Sequence, residues 1–463
     1  MDYKDAKHIY FLGIGGIGMS ALARYMKRQG KYVSGYDRTP SPLTQELEKE
    51  GINIVYDGYD HPNIDNLSTD NTLVVRTPAV REEEEIYTLL RQKGFEIIKR
   101  SEMLDLLTQQ RRALCVAGTH GKTTTSTLLA HILHQSHVGA NAFLGGISEN
   151  YHTNLLTDDK SNFVVVEADE YDRSFHHLTP YMSVITSIEP DHLDIYGNAE
   201  GYQEGFDIYA GLVENIIVLK QGFELHGTHC TTYTYTGLYH GSERPNFWAD
   251  NVRVADGKIH FDFHADIPTG HCLIRDVQPG VPAWVNIENS VAAMALAWLN
   301  GATEEEIRQG VQTFKGVYRR FNVHVNNERV AYVDDYAHHP SEIKASIESV
   351  RHIYPERKLI GIFQPHLYTR TRDFKDEFRE VLQTLDELIL LPIYPAREQP
   401  ICGITSEVLI SRSSDVVVPK SDLCHYLKQR IDACDRSAVV MTLGAGDIDR
   451  LVESIQRSLE NKV

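Results

Sequence analysis

The chain has 463 residues, 42% of them hydrophobic and 24% charged, a length that predicts two to four domains at about 100–200 residues each. No apolar run approaches the roughly 20 residues of a membrane span, and the start lacks the regions of a secretory signal, so we expect a cytoplasmic protein. The net charge of -18 speaks against a basic nucleic-acid-binding surface, and six cysteines without a CxxC pair predict reduced thiols.

Strand-like and helix-like segments alternate through the first hundred residues. Strands are predicted at 8–14, 32–37, 52–55 and 72–76, with a helix at 18–28 and another that begins at Pro42. A short helix at 101–107 leads into the next part of the chain. This rhythm is typical of a Rossmann-like domain with a parallel sheet.

The same rhythm starts twice more. The second series has strands at 113–117, 163–167, 182–188 and 215–219, a small antiparallel insert at 230–273, and helices at 122–135, 287–300 and 304–314. The third has strands at 330–334, 359–363, 387–391 and 438–442, and helices at 341–351, 373–382 and 448–459. We therefore predict three α/β domains, at 1–107, 108–316 and 317–463. The first and last are expected to be Rossmann-like, and the central one to have a parallel sheet and, from the loop described next, an ATP-binding site.

A glycine-containing loop follows the strand at 113–117, and residues 118–124 read Gly-Thr-His-Gly-Lys-Thr-Thr. Strand, glycine loop, Lys-Thr and helix form a phosphate site, because backbone N–H groups and the helix N-terminus face the anion. Lys122 is expected at the β- and γ-phosphates of ATP, and Thr123 at Mg²⁺. The usual pattern has a further glycine where Ala117 stands, so a chance glycine turn is the alternative.

A second glycine-rich turn opens the first helix, with Gly13, Gly15, Gly16 and Gly18 after the first strand and Asp37 at the end of the second. This is the dinucleotide-binding fingerprint, in which the carboxylate holds a ribose. Its chemistry suits a pyrophosphate and a ribose, which NAD and a UDP-sugar both present. Glycines that merely allow close packing of strand and helix are the alternative.

Acidic clusters end two strands of the second series: Glu-Ala-Asp-Glu at 167–170 and Glu-Pro-Asp-His-Leu-Asp at 189–194. A carboxylate at the carboxyl end of a parallel strand can meet a phosphate-bound Mg²⁺. We expect both clusters to face one crevice, although either alone could be a solvated acidic loop.

Histidines and arginines end two strands of the third series, in Asp-Asp-Tyr-Ala-His-His-Pro at 334–340 and Gln-Pro-His-Leu-Tyr-Thr-Arg-Thr-Arg at 364–372. Arginine binds carboxylate and phosphate with two donors, so these segments suit the recognition of anions. For Arg372 a plain salt bridge with Asp373 at the start of a helix is the alternative.

Together these motifs closely resemble those of the Mur ligases of peptidoglycan synthesis, over nearly the whole chain. The segments that carry the resemblance are FLGIGGIGMSALA at 11–23, AGTHGKTTT at 117–125, EADEYDRSFHHL at 167–178, EPDHLD at 189–194, YRRF at 318–321, DDYAHHPSEI at 334–343 and FQPHLYTRTRDF at 363–374. This family uses the shortened phosphate loop. The resemblance implies an ATP- and Mg²⁺-dependent ligase that forms an acyl phosphate and then an amide bond, with release of ADP and phosphate.

Within the family the chain resembles the branch that joins L-alanine to UDP-N-acetylmuramate. The nearest alternative is the recycling ligase that attaches a murein peptide to the same nucleotide sugar. The resemblance implies small-molecule partners only, without nucleic acid or membrane insertion, and we expect a monomer or homodimer.

The resemblance also implies site residues at the matching positions. The implied catalytic residues are Lys122, His192 and Arg320. The implied metal ligands are Thr123, Glu167 and His192. The implied ATP-binding residues are Gly118, Thr119, His120, Gly121, Lys122, Thr123, Thr124, Asn286, Asn289, Arg320 or Arg319 at the γ-phosphate, and Asp334 or Asp335 at the ribose. The UDP-linked substrate is assigned to Gly13, Gly15, Gly16, Gly18 and Asp37. The amino-acid and muramoyl end is assigned to Tyr336, His338 and Arg370 or Arg372.

The chain departs from the family's pattern at three places. The segment 202–210 contains no lysine, so the carbamylated lysine of later-acting Mur ligases is not expected. Val285 stands where the family usually has a histidine near the adenine. Leu367 stands where some members have arginine, which leaves carboxylate binding to Arg370 and Arg372.

Two other classes of function remain open at this stage. A nicotinamide oxidoreductase would use the glycine-rich turn at 13–18, but the phosphate loop speaks against it, and a lack of NADH binding would exclude it. A non-catalytic nucleotide-sensing module would bind ATP without releasing phosphate when all substrates are present.

Overall fold

The computed structural model describes residues 3–56, 64, 67–239, 241, 243–255, 258–396 and 398–460. The chain forms two compact units. The first consists of Met1–Trp248, Phe263–Ile274 and Asn289–Val311, and the second of Ala249–Asp262, Arg275–Glu288 and Gln312–Val463. In the part of the chain that is described, no helix is long and apolar enough to cross a membrane.

The first unit begins with a five-stranded parallel sheet. Its strands are β1 (His8–Leu12), β2 (Tyr32–Tyr36), β3 (Asn53–Val55), β4 (Thr72–Arg76) and β5 (Glu96–Lys99), in the order β3-β2-β1-β4-β5. Its helices are α1 (Ile17–Arg28), α2 (Pro42–Lys49), α3 (Glu85–Gln92) and α4 (Arg100–Thr108). The chain leaves β1 for β2 on one side and later adds β4 on the other. The carboxyl end of β1 is therefore the switch point where such sheets bind ligands.

A ten-stranded sheet follows. Its strands are β6 (Arg112–Ala117), β7 (Asn141–Ser148), β8 (Thr153–Leu156), β9 (Phe163–Glu167), β10 (Pro180–Ile185), β11 (Ile216–Lys220), β12 (Thr231–Thr236), β13 (Phe247–Ala255), β14 (Lys258–Ile267) and β15 (Gly270–Val277). The order is β15-β14-β13-β12-β11-β10-β6-β9-β7-β8. The helices are α5 (Lys122–Gln135), α6 (Leu193–Tyr196), α7 (Ala199–Ala210), α8 (Val285–Leu299) and α9 (Glu304–Thr313), with a 3₁₀ segment at Tyr171–His177. Because β9 and β10 lie on either side of β6, the ends of all three strands meet at one edge.

The second unit contains a six-stranded sheet. Its strands are β16 (Asn322–Asn326), β17 (Val330–Asp335), β18 (Lys358–Phe363), β19 (Glu387–Leu390), β20 (Val416–Val417) and β21 (Ala438–Leu443), in the order β16-β17-β21-β18-β19-β20 with β16 alone antiparallel to its neighbour. The helices are α10 (Pro340–Ile353), α11 (Tyr368–Asp373), α12 (Lys375–Leu382), α13 (Leu423–Asp432) and α14 (Val452–Glu460). Short 3₁₀ segments lie at Ser406–Leu409, Lys420–Asp422 and Asp447–Leu451.

The three-part α/β architecture with mainly parallel sheets is confirmed. The insert expected at 230–273 is not separate from the central sheet, and its first two strands are not antiparallel. Strand β12 pairs in parallel with β11, and β13 pairs in parallel with β12, so these strands extend the central sheet. The edge strand of a sheet has unpaired backbone N–H and C=O groups. Further strands pair with those groups when they add to the edge, which is how β12 extends the sheet beyond β11. The helix expected at 373–382 begins at Lys375 as α12, and a further helix that was not predicted, α11, precedes it. The domain limits at 108 and 316 stay a prediction.

Candidate active site

The phosphate loop connects β6 to α5 and has the backbone that its glycines allow. Gly118 and Gly121 have φ of 131° and 82°, in the region that residues with a Cβ rarely adopt. Helix α5 begins at Lys122 without a side-chain cap and without an acidic residue in its first turn. Its first N–H groups therefore have no competing anion of their own, as a phosphate site requires.

Lys122 is held over this loop by three partners. Its Nζ donates to the carbonyl oxygens of Gly118 and Thr119 at 2.6 and 3.2 Å, and lies 2.7 Å from the Glu170 carboxylate. Burial disfavours the charge of Lys122, but the carboxylates of Glu170, Asp169 and Glu167 outweigh it and raise its pKa. Lys122 therefore stays cationic, and the Glu170 carboxylate occupies the position beside it that a phosphate group would take.

Glu170 is a site residue that the sequence analysis did not select. Its side chain is 2% exposed, and burial raises its pKa to about 7 against the opposing effect of Lys122. The oxygen Oε1 lies 4.0 Å from Nε2 of His192, so the structure brings Lys122, Glu170 and His192 together. The repeated glutamate in the 167–170 motif was the available signal, but only packing shows which of the two carboxylates is buried against the lysine.

Thr119 and His120 are tied to the segment after β10. The Thr119 hydroxyl donates to the Glu189 carbonyl at 2.7 Å and bonds the Tyr202 hydroxyl at 2.9 Å. The His120 N–H donates to Ser187 Oγ at 3.0 Å. These contacts fix the loop against the segment after β10. They use the N–H groups of His120 and of Thr119, which donates to the Ser187 carbonyl at 3.2 Å, so the N–H groups at the start of α5 are the donors expected for a phosphate.

Glu167 ends β9 at the same edge of the sheet, and Gly145 of β7 leaves room for it. A Cβ on Gly145 would lie 2.0 Å from Oε2 and 2.5 Å from Cδ of Glu167. Among the described residues no group of three or more His, Cys, Asp or Glu side chains is arranged to hold a metal. Mg²⁺ typically takes one or two protein carboxylates and completes its shell with water and phosphate oxygens. Glu167 and the Thr123 hydroxyl fit that donor set.

We expect Gly145→Ala to lower kcat/KM at least tenfold and to raise the Mg²⁺ concentration for half-maximal rate. The added methyl group occupies space taken by the Glu167 carboxylate, which must move away. Gly270→Ala is the matched control, because a Cβ there would meet Trp298 at an ordinary 3.4 Å. Steady-state rates over a Mg²⁺ series test this, and an unchanged Mg²⁺ dependence in Gly145→Ala would contradict it.

His192 has a left-handed backbone, with φ of 52°, at the start of α6. Its N–H donates to Oδ1 of Asp191 at 2.7 Å, and its ring makes an edge contact with Tyr171. Non-glycine residues in this conformation are uncommon and often lie at functional sites, which agrees with the role predicted for His192.

The glycine-rich turn of the first sheet lies at the carboxyl end of β1. Gly13 has φ of 79°, and a Cβ there would lie 2.4 Å from Cγ2 of Thr77. The Gly15 N–H donates to Oδ2 of Asp37 at 2.8 Å, so one Asp37 oxygen fixes the turn. Helix α1 begins after Gly16 without a side-chain cap or an acidic residue in its first turn. The turn thus has the strand–turn–helix form of the dinucleotide fingerprint, and its assignment to the UDP-linked substrate stays a prediction.

In the second unit the two neighbouring arginines have different environments. Arg319 is 5% exposed; its Nε lies 3.2 Å from Oδ2 of Asp334, and its Nη2 donates to the Gly444 carbonyl at 2.7 Å. The Arg320 guanidinium lies over the ring of Tyr336, 4.8 Å from its centroid. Arg319 therefore serves the packing of β17 against β21, whereas Arg320 is the arginine available to a substrate.

The two aspartates that end β17 are both buried. Asp334 is 0% exposed and accepts from Thr442 Oγ1 at 2.6 Å as well as from Arg319. Asp335 is 8% exposed and accepts from the Ser346 hydroxyl; burial raises its pKa to about 6. Of the two residues predicted for the ribose, Asp335 is the more accessible.

A histidine pair lies at the carboxyl ends of β17 and β18, which β21 separates. The rings of His338 and His366 are 6.0 Å apart, and the ring of His366 stacks on Tyr394. The pKa of both histidines is lowered to about 4, chiefly by burial, and the nearby charge of Arg370 contributes to this shift. His366 was not among the predicted site residues. Arg370 is thus a cation beside two neutral imidazoles.

Arg372 does not join this cluster. Its Nε lies 2.7 Å from Oδ1 of the adjacent Asp373, and its side chain is 51% exposed. This is the helix-start salt bridge considered as the alternative. Arg370 is therefore the better candidate for the carboxylate of an amino acid.

We expect the low pKa of His366 to appear in the pH dependence of stability. The folded pKa of about 4 lies below the ordinary 6.5, so the folded state binds fewer protons than the unfolded chain between these values. Stability is therefore full above pH 6.5 and falls, by at most about 1.4 kcal/mol per pH unit from this residue, as the pH drops to 4. Urea unfolding of wild type and His366→Gln across this range tests it. If the unfolding free energies of the two proteins changed equally with pH between 6.5 and 4, the prediction would be contradicted.

The two asparagines of α8 make different contacts. The Asn289 side chain borders the phosphate loop, since it accepts from Thr125 Oγ1 at 3.2 Å and a Cβ on Gly121 would lie 2.7 Å from its Oδ1. Asn286 donates to the Val281 carbonyl at 3.4 Å. The structure thus places Asn289 at the phosphate loop, whereas the resemblance assigns both asparagines to the adenine end of ATP, and that assignment stays a prediction. Val285 is 40% exposed.

Comparison with protein-family models finds three matches along the chain. Residues 8–112 match the catalytic domain of the Mur ligase family, residues 116–297 the Mur ligase middle domain, and residues 319–446 the domain described as Mur ligase, glutamate ligase.

Similar proteins with names include UDP-N-acetylmuramate–L-alanine ligases. The one from Parabacteroides distasonis is 50% identical and covers 99% of this chain and 98% of its own; that from Phocaeicola vulgatus is 50% identical over the full length of both. The crystal structure of UDP-N-acetylmuramate-alanine ligase from Thermotoga maritima has a TM-score of 0.79 at 26% identity, over 98% of this chain and all of its own. A murein peptide ligase from Psychrobacter arcticus shares the fold, with a TM-score of 0.68 at 21% identity over 99% and 100% of the two chains.

Proposed function

The chain belongs to the Mur ligase family, and on that basis we propose that it joins L-alanine to UDP-N-acetylmuramate with cleavage of ATP to ADP and phosphate. The observation that carries the proposal is the identity of about 50%, over the whole chain, to ligases named for this reaction. Attachment of a whole murein peptide is not favoured, because the relatives that are 50% identical over the whole chain are named for L-alanine, whereas two murein peptide ligases of known structure are 21% and 27% identical, the second over 67% of this chain. The family uses ATP, and we propose the cytoplasm, which supplies it, as the site of the reaction.

The first step joins two anions. The lactyl carboxylate attacks the γ-phosphorus of ATP, which gives an acyl phosphate and ADP. Such a step needs charge neutralisation and in-line alignment. Lys122, which its acidic neighbours keep cationic, supplies the charge, and the loop with the start of α5 aligns the phosphates. The incoming phosphate replaces Glu170 as the partner of Lys122, and Arg320 adds a second cation.

Thr123 and Glu167 would hold Mg²⁺, with His192 at a second position near the acyl group. The ion would supply further positive charge to the phosphate oxygens. The role of this chain is to present one carboxylate and one hydroxyl at the phosphate loop, with Gly145 keeping the space for that carboxylate.

The second step is attack of the L-alanine amine on the acyl carbon, after which phosphate leaves from the tetrahedral intermediate. Arg370 would bind the alanine carboxylate with two parallel hydrogen bonds. His338 and His366 are neutral near pH 7 and so add no charge that would repel the amino group. Tyr336 orients Arg320 through the contact of its ring with the guanidinium.

The test is phosphate release with UDP-N-acetylmuramate, ATP and Mg²⁺, comparing L-alanine with glycine, L-serine and the murein tripeptide. We expect release with L-alanine, at a higher kcat/KM than with the others, and a product whose mass is that of the L-alanyl nucleotide. Release with the tripeptide alone would support the recycling ligase instead. ATP binding without release under every condition would support a nucleotide-sensing module.

A further inference from the structure

Arg100 lies against the glycine-rich turn of the first sheet. It is the first residue of α4, and its side chain is 21% exposed. A Cβ on Gly18 would lie 2.4 Å from Nη1 and 3.4 Å from Cζ of Arg100. The guanidinium therefore rests on the backbone of the last glycine of the turn, in the first turn of α1.

A cation is unfavourable at this place unless an anion accompanies it. The first N–H groups of α1 carry partial positive charge, and the helix has neither a side-chain cap nor an acidic residue in its first turn. Arg100 adds a full positive charge beside them. The helix start and the guanidinium together form a site that favours a strongly anionic group with several acceptor oxygens.

The present partner of Arg100 satisfies this site only in part. Nη2 of Arg100 lies 3.3 Å from Oδ2 of Asp169, a single long contact to a carboxylate that is 36% exposed. The other oxygen, Oδ1, accepts from the Tyr171 N–H at 3.2 Å. A half-exposed single contact of this kind is weak compared with a paired arginine–phosphate contact.

We propose that Arg100 is a substrate-binding residue that exchanges Asp169 for the diphosphate of the UDP-linked substrate. The inference rests on the proposed function, which supplies the substrate class. The planar guanidinium presents parallel donors that match two phosphate oxygens, and α1 presents backbone N–H groups to the same anion. Asp169 holds Arg100 at the turn in the absence of substrate, and it competes with the substrate's diphosphate for the Arg100 guanidinium.

The experiment is calorimetric titration of the full-length protein with UDP-N-acetylmuramate, without ATP. We expect Arg100→Ala to weaken binding about tenfold to hundredfold, as loss of a charge-assisted pair does. Arg100→Lys keeps the charge but not the parallel donors, and recovers part of the loss. Asp169→Asn removes the competitor and tightens binding at least twofold. In the Arg100→Ala background Asp169→Asn has no effect, because the competition acts through Arg100.

Lys99→Ala is the matched control. Lys99 is the neighbouring cation, 39% exposed, with its Nζ 3.7 Å from Oδ2 of Asp172, and we expect its loss to change binding less than twofold. Titration with ATP, which is expected to bind at the separate phosphate loop, shows whether each variant is folded. If Arg100→Ala does not fold, the binding affinity of Arg100→Lys tests the proposal instead. A change under twofold in both Arg100 variants, or weaker binding in Asp169→Asn, overturns the exchange. A wild-type protein that does not bind UDP-N-acetylmuramate overturns the proposed function instead.

Discussion

Lys122→Ala is expected to lower kcat/KM for ATP-dependent product formation at least a thousandfold, which corresponds to about 4 kcal/mol of transition-state stabilisation. Among the described residues, Lys122 is the cation that hydrogen bonds hold over the phosphate loop, to the carbonyl oxygens of Gly118 and Thr119. In the alanine variant no lysine charge neutralises the negative charge of the β- and γ-phosphates. Coupled measurement of ADP formation with all three substrates checks this.

Loss of Lys122 also leaves Glu170 buried without its partner, so chemistry and folding must be separated. We therefore include Lys122→Ala/Glu170→Gln, which removes the buried carboxylate. The double variant should regain stability, measured by thermal unfolding, and remain inactive. Lys160→Ala, at an exposed lysine, is the charge-matched control and should keep its rate within twofold. Full activity in Lys122→Ala would exclude the phosphate-loop assignment.

Arg319→Ala and Arg320→Ala are expected to fail in opposite ways, although the two arginines are adjacent. Arg319→Ala should lower the free energy of unfolding by about 3–5 kcal/mol, because it leaves the carboxylate of Asp334 buried and uncompensated. Arg320→Ala should change it less than Arg319→Ala does, since its guanidinium rests on a ring and acts on the buried carboxylate of Asp335 only through its charge, without a hydrogen bond among the described contacts. Its kcat/KM should fall at least a hundredfold.

Urea unfolding and steady-state rates on the same two variants test this pair, and each variant is the control of the other. In the Arg319→Ala background, Asp334→Asn should recover part of the lost stability, because the orphaned charge is then removed. A stable and inactive Arg319→Ala, beside an active Arg320→Ala, would reverse the assignment of the two residues.

The sequence by itself determined the fold class and the two glycine-rich turns. Strand and helix periods are local, and so is the demand of a tight turn for glycine; Gly13, Gly118 and Gly121 indeed have positive φ. The acidic clusters after β9 and β10 were expected at one crevice, and they do flank the end of β6. Parallel strands with alternating helices impose that arrangement before any side chain is placed.

Only the tertiary structure decided which polar side chain does what. YRRF at 318–321 does not reveal that Arg319 is buried on Asp334 while Arg320 faces Tyr336, and EADE at 167–170 does not reveal that Glu170 is the partner of Lys122. The sequence also does not show that the side chain of Arg100 lies against Gly18, which is distant from it along the chain. A residue's period along the chain sets the face it occupies. Its burial and its partners depend on segments far away in sequence, and those set its charge and its role.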